Sequence, residues 1–218
     1  MDKKTIAQTV EISAKTALSV IPVGGPLLTE IWNSIKENTA ERRLQDWQNK
    51  IEQRVSTLEM TLDDIGNNEA FTTAILNTTE MALKVSEDKK REYLANAVIN
   101  SISTDLDENI LLIFIDLIGK YTVWHLQILE YFMNPMAKGV SSDKYYMGSP
   151  KTPLYDVYPK FKQHDALIDK IIKDLYLDGM LGTDSLNVSM TSDGMIASRT
   201  TDLGNQFIRF ISYDSINH

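Results

Sequence analysis

Apolar positions recur at intervals of three and four along most of this chain, the spacing of one face of an α-helix. Over residues 3–20 the face is Ile6, Val10, Ile12, Ala14, Ala17 and Leu18, continued by Ile21. Pro22 and Gly24-Gly25 stop it, and Pro26 stands where a helix accepts a proline, in its first turn. Leu27, Leu28, Ile31, Trp32 and Ile35 then predict a second helix over 26–37, so the chain opens with a helical hairpin. A third helix is predicted over 41–62, with Leu44, Trp47, Ile51, Val55, Leu58 and Leu62 on one stripe and Arg42, Arg43, Glu52 and Glu59 opposite. Gly66-Asn67-Asn68 breaks the pattern. Helices follow over 69–84 (Phe71, Ile75, Leu76, Leu83) and 87–103 (Tyr93, Leu94, Ala97, Val98, Ile102). The next, 107–118, is apolar on every side from Ile110 to Ile115, the mark of a central buried helix.

Past a stop at Gly119, Thr122 is placed to cap a helix running to Phe132. Residues 134–153 then gather Pro, Gly and Ser and predict a long loop. A short helix around 154–160 and a clearer one over 163–178 follow, the latter with Leu167, Ile168, Ile171, Ile172 and Leu175. Ser185 to Thr191 alternates, with Leu186, Val188 and Met190 on one side; Asp193-Gly194 is a hairpin signal, and 195–200 reads as the returning strand. A last helix uses Phe207, Ile208, Phe210 and Ile211. The expected architecture is mainly α: a helical bundle over 1–119 with its N-terminal hairpin, then a winged helix-turn-helix with a small β-hairpin over 120–218, carrying an inserted loop at 134–153.

Composition narrows the function. The chain has 218 residues, no Cys, and a net charge of −8. Without Cys there are no disulfides, thiolate zinc sites or Cys nucleophiles, which fits a reducing compartment and a cytoplasmic location. Residues 1–120 hold 13 basic against 19 acidic side chains and residues 121–218 hold 9 against 11, so neither half attracts nucleic acid or anionic lipid at long range. Glu11 and Lys15 interrupt the N-terminal apolar run, against a secretory signal. The longest uncharged run there, 16–29, is 14 residues, whereas a spanning helix needs about 20.

Three stretches carry a resemblance. The first is the Pro-Gly-Gly-Pro hinge followed by ERRLQDWQNKIEQRVSTLE (41–59). The second is KKREYLANAVINSI (89–102) followed by an acidic apolar helix and YTVWHLQILEYF (121–132). The third is LYLDGML (175–181), a hairpin, and TTDLGNQFIRFI (200–211). In these the chain resembles a widespread family of bacterial helical proteins with a C-terminal winged helix, some of them Abi-alpha-like and found with phage-defence or abortive-infection genes. The resemblance implies the two-part architecture and an antiviral-defence context. It brings no catalytic residues with it.

Candidate chemistry is sparse. His125, His164 and His218 are the only histidines, and none has a second His three or four residues away. The acidic groups Asp63-Asp64 and Asp105-Asp107-Glu108 sit at helix ends, where a carboxylate offsets the helix dipole. Gly24-Gly25 matches neither a phosphate loop nor a dinucleotide fingerprint, and no GxSxG is present. No motif calls for a cofactor, a metal or a catalytic group. The expectation is a non-enzymatic protein-binding or adaptor protein of a bacterial system. Leu27, Leu28, Ile31 and Trp32 would be one contact, and Tyr145, Tyr146 and Met147 of the 134–153 loop a second. Self-association is an equal use of such surfaces. Two alternatives stand beside it. One is a DNA-binding regulator using Lys170, Lys173 and Arg199, against which Asp165, Asp169, Asp174 and Asp178 of the same helix count. The other is a membrane-active effector acting through residues 3–35, supported only by Lys3, Lys4 and Lys15.

Overall fold

A computed structural model describes residues 39–58, 64–65, 67–103 and 106–213. The predicted N-terminal hairpin, with Leu27, Leu28, Ile31 and Trp32, lies outside the described residues, as do Leu62, Asp63, Asp105 and His218. The described chain is mainly helical with one two-stranded antiparallel sheet. It divides into two compact units. One holds the described residues up to Lys120 and those from Phe210 on; the other is Tyr121–Arg209. The sequence pattern runs the second part to the C-terminus, whereas the contacts return the last residues to the first unit.

The first unit is built from α1 (Glu41–Val55), α2 (Glu69–Lys84), α3 (Asp88–Ser103) and α4 (Glu108–Lys120). α1 packs on α2 and α3, and α4 packs on α2 and α3. Their apolar stripes meet in a core that includes Trp47, Ile51, Phe71, Ile75, Leu94, Val98, Phe114 and Ile115. Trp47 Nε1 donates to Thr79 Oγ1 at 3.1 Å, which satisfies the indole in that core. Asn68 caps α2 by accepting from Phe71 N at 2.8 Å, and Asp107 Oδ1 accepts from Asn109 N at 2.8 Å at the head of α4.

Three expectations change here. α1 ends at Val55: the hydroxyls of Ser56 and Thr57 donate back to the carbonyls of Gln53 and Arg54 at 2.7 Å, taking up the last carbonyls of the helix. α4 is not buried all round. Leu111, Phe114, Ile115 and Ile118 face the core, but Leu112 and Ile113 are exposed, as is Leu76 of α2. Gly119 does not stop α4. It lies in its last turn, where a Cβ would come within 3.1 Å of Met81 Cε.

The second unit contains α5 (Val123–Met133), β1 (Met147–Gly148), α6 (Lys151–Val157), α7 (Asp165–Leu177), β2 (Met190–Thr191), α8 (Ser192–Met195) and α9 (Asp202–Ile211), whose last two residues count with the first unit. Short 3₁₀ turns occupy Met136–Lys138, Ser142–Lys144 and Pro159–His164. α7 packs on α5 and on the 159–164 turn. Leu126, Leu129, Phe132, Leu154, Phe161, Ile168, Ile172, Leu175 and Phe207 are buried in it.

The predicted hairpin about Asp193-Gly194 is replaced by a helical turn. Thr191 Oγ1 accepts from Gly194 N at 3.4 Å, so Thr191-Ser192-Asp193 acts as a helix start. β2 instead pairs with β1 from the 134–153 segment, Met147 opposite Thr191 and Gly148 opposite Met190. An antiparallel bridge joins Leu181 to Thr200. Leu186 is buried while Val188 is exposed, so the alternation read in 185–191 does not mark one face.

Candidate interaction surface

The 134–153 segment is tied down at both ends of its exposed centre. Tyr145 is extended (φ −128°, ψ 148°) and its hydroxyl donates to Asp156 Oδ2 of α6 at 2.8 Å. Partial burial, with the Asp156 carboxylate beside it, pushes the Tyr145 phenol up to about 12. Four residues on, Ser149 Oγ donates to the Leu186 carbonyl at 2.6 Å and accepts from Lys151 N at 3.1 Å. Between these ties lie Tyr146, 91 % exposed, and Met147, 64 % exposed. Of the three predicted contact residues, Tyr145 thus anchors and the other two present apolar surface. Pairing of β1 with β2 and the contact of α8 with β1 hold that surface from beneath. A backbone held in this way has little ordering left to lose on binding.

Met136, Leu177, Tyr176 and Leu203 are further exposed apolar residues of this unit that sequence reasoning missed. Leu177 ends α7, and Leu203 Cδ2 lies 3.8 Å from where a Cβ on Gly179 would stand. Leu177 falls two residues after the buried Leu175, off the stripe that Ile168, Ile171, Ile172 and Leu175 form.

The cationic candidates for nucleic acid are all engaged internally. Lys170 pairs with Asp174 at 2.6 Å, and Lys173 pairs with Asp184 at 2.8 Å while lying over the Tyr176 ring. Lys170 holds the Asp174 carboxyl below its usual range, and Lys173 does the same to Asp184. Arg199 is half-buried. Its guanidinium donates to the carbonyls of Ala197 (2.7 Å) and Gly194 (2.6 Å) and lies over the Phe132 ring. Phosphate contact would require these pairs to break.

The remaining carboxylates of α7 serve a buried cation that sequence reasoning also missed. Lys151 at the head of α6 is buried, with Nζ 2.8 Å from Asp165 Oδ1 and 2.7 Å from Asp169 Oδ1. Tyr155 donates to the same Asp165 oxygen, and Asn187 Nδ2 donates to Asp169 at 3.2 Å. Burial alone would lower the Lys151 ammonium, but the two carboxylates outweigh it and raise it. The signal was present in the i, i+4 spacing of Asp165 and Asp169, which puts both on one side of a helix. Their partner, 14 residues away, was not readable.

His125 sits in a local structural setting. Its Nδ1 accepts from Thr122 N at 3.3 Å and lies 2.9 Å from Thr122 Oγ1, so the pair closes the N-terminus of α5. Tyr121 stacks on the imidazole and donates to Asp178 at 2.8 Å, while His125 Nε2 lies 3.5 Å from Asp174. His164 is exposed, its ring 5.2 Å from that of Trp124. Among the described residues no group of three or more His, Asp or Glu is arranged to hold a metal ion, and no single helix is long and apolar enough to cross a membrane.

No family model, no curated protein and no solved structure matches the chain.

Proposed function

We propose that this protein is a non-enzymatic binding or adaptor protein that works through protein contacts in the cytoplasm of a bacterium, in an antiphage-defence setting. The observation that carries the reading is Tyr146: a large aromatic side chain, 91 % exposed beside an exposed Met147, on a segment tied down by Tyr145 and Ser149. Rigid exposed aromatics are what protein interfaces use as anchors. The defence setting rests on the family resemblance alone. The apolar residues Leu27, Leu28, Ile31 and Trp32 form a second contact in this reading.

The second unit is read as a winged helix turned to protein contact. Its order of helix, strand, two helices, bridged segment and helix supports the winged reading. The internal pairing of Lys170, Lys173 and Arg199 supports a protein rather than a DNA partner. Affinity capture from the native host with the full chain and with a Tyr146→Ser, Met147→Ser variant tests this. A protein captured by the parent and lost with the variant is expected; identical captures overturn it.

A further inference from the structure

Resting on the reading of 145–147 as a contact surface, we propose that Met147 is a reversible oxidation site that switches this surface. A peroxide converts its thioether to a sulfoxide, and the contact is lost while the fold is kept.

Three observations single out this methionine. The first is access. Among the described methionines only Met136 and Met147 are exposed; Met81, Met133 and Met190 are half-buried, and Met180 and Met195 are buried. Oxidation of a side-chain sulfur follows its exposure to the oxidant. The second is position. Met147 adjoins Tyr146 and supplies the other half of the exposed apolar pair. Met136 lies on the 3₁₀ turn of residues 136–138, outside the stretch tied down at Tyr145 and Ser149. The third is what holds β1. Met147 is fixed through its main chain, opposite Thr191 of β2. Beneath the strand lies Met195, whose Cε would stand 3.3 Å from a Cβ on Gly148. The methionine that packs under β1 is thus the shielded one, and the open one is held by its backbone rather than by its sulfur.

The sulfur lone pair of Met147 takes one oxygen from hydrogen peroxide. The O–O bond breaks and the other oxygen leaves as water, so sulfur is oxidised by two electrons and the peroxide is reduced. A polar S=O group then stands where apolar surface stood. An apolar partner surface covers it only by burying an unpaired acceptor, which is costly. Methionine sulfoxide reductases return the thioether.

The test treats the full chain with hydrogen peroxide and maps sulfoxides by peptide mass spectrometry. Met147 is expected to oxidise about tenfold faster than Met195. The urea midpoint should not move at the stage where Met136 and Met147 alone are oxidised. Affinity capture of a protein from the native host should then fall about tenfold and return after methionine sulfoxide reductase treatment. Met136→Leu should lose capture on oxidation as the parent does. For Met147→Leu, peroxide should change capture by less than about twofold, whatever its level beforehand. Oxidation of Met147 no faster than that of Met195, or an equal loss of capture from Met147→Leu, overturns the proposal. So does a shifted urea midpoint accompanying the loss, because the fold and not the surface has then responded. Capture that survives oxidation of Met147 removes this inference alone; no captured protein before peroxide removes the contact reading and this inference with it.

Discussion

Asn100 holds the end of α9: its Nδ2 donates to the Phe210 carbonyl at 2.8 Å and to the Ser212 carbonyl at 2.7 Å. One turn earlier Asn96 Nδ2 donates to the Ile211 carbonyl at 2.9 Å, and Arg54, which donates to Asn96 Oδ1, lies over the Tyr213 ring. Three carbonyls at the C-terminal end of α9 are thus met by two side-chain amides of α3. The Phe210 ring, 5.6 Å from that of Phe114, adds an apolar contact within the same unit.

Asn100→Leu keeps the volume and removes both donors. It should destabilise the protein by about 2 kcal/mol, because the carbonyls it leaves are shielded from water. Urea denaturation followed by circular dichroism checks this; an unchanged midpoint would mean that the amide contacts contribute nothing.

Lys90 is a buried cation whose side chain donates to the Ile118 carbonyl, and burial lowers its ammonium from 10.5 to about 8. Between those two values the unfolded chain keeps a proton that the folded chain has released, so Lys90 makes stability rise with pH across that window. Below pH 8 both states are charged and the burial cost is present in full. Lys90→Met should therefore be more stable than the parent at pH 7, by up to about 3 kcal/mol, with the advantage shrinking toward pH 10. Paired urea melts at pH 7 and pH 10 would refute this by showing a constant difference.

Lys151 joins α6 to α7 through Asp165 and Asp169. Lys151→Met leaves two carboxylates one helical turn apart without their cation, and should cost about 1–3 kcal/mol. Adding Asp165→Asn and Asp169→Asn should restore part of that loss. The Asp165 carboxyl is held below its usual range by Lys151 and then by Tyr155, so its stabilising share is present above pH 3.8 and fades as pH falls through its lower folded value. Acid melts of parent and variant should converge there.

Gly204 lies in the first turn of α9, where a Cβ would stand 2.2 Å from the Met180 carbonyl oxygen. Backbone blocks it on that side, and Gly204→Ala should cost about 3 kcal/mol or more. At Gly182 the nearest atom to an added Cβ is the Arg199 carbonyl oxygen at 3.7 Å, an ordinary contact. Gly182→Ala should then lie within about 0.5 kcal/mol of the parent. Thermal melts of the two variants compare them directly.

Helices with a polar face were legible in the sequence because burial there is periodic and their starts carry capping side chains. The segment 69–84, with Asn68 before it, is the plain case. The exposed side of α4 was not legible: a run of Leu and Ile reads the same whether or not a neighbour covers it, and only the structure leaves Leu112 and Ile113 open. The Asp193-Gly194 turn failed because Thr191, two residues earlier, offers a competing helix cap, and a two-residue strand finds its partner 43 residues away. At the candidate surface, Tyr146 and Met147 stood out as apolar residues in a polar segment. Their anchors, Tyr145 on Asp156 and Ser149 on Leu186, are tertiary contacts that no local pattern records.

The central claim is that Tyr146 meets another protein. A photo-reactive phenylalanine derivative placed at position 146, and separately at the exposed Lys162 as reference, would be activated in the native host. One protein crosslinked strongly from 146 and not from 162 is the predicted result. The same faint background from both sites would contradict the account.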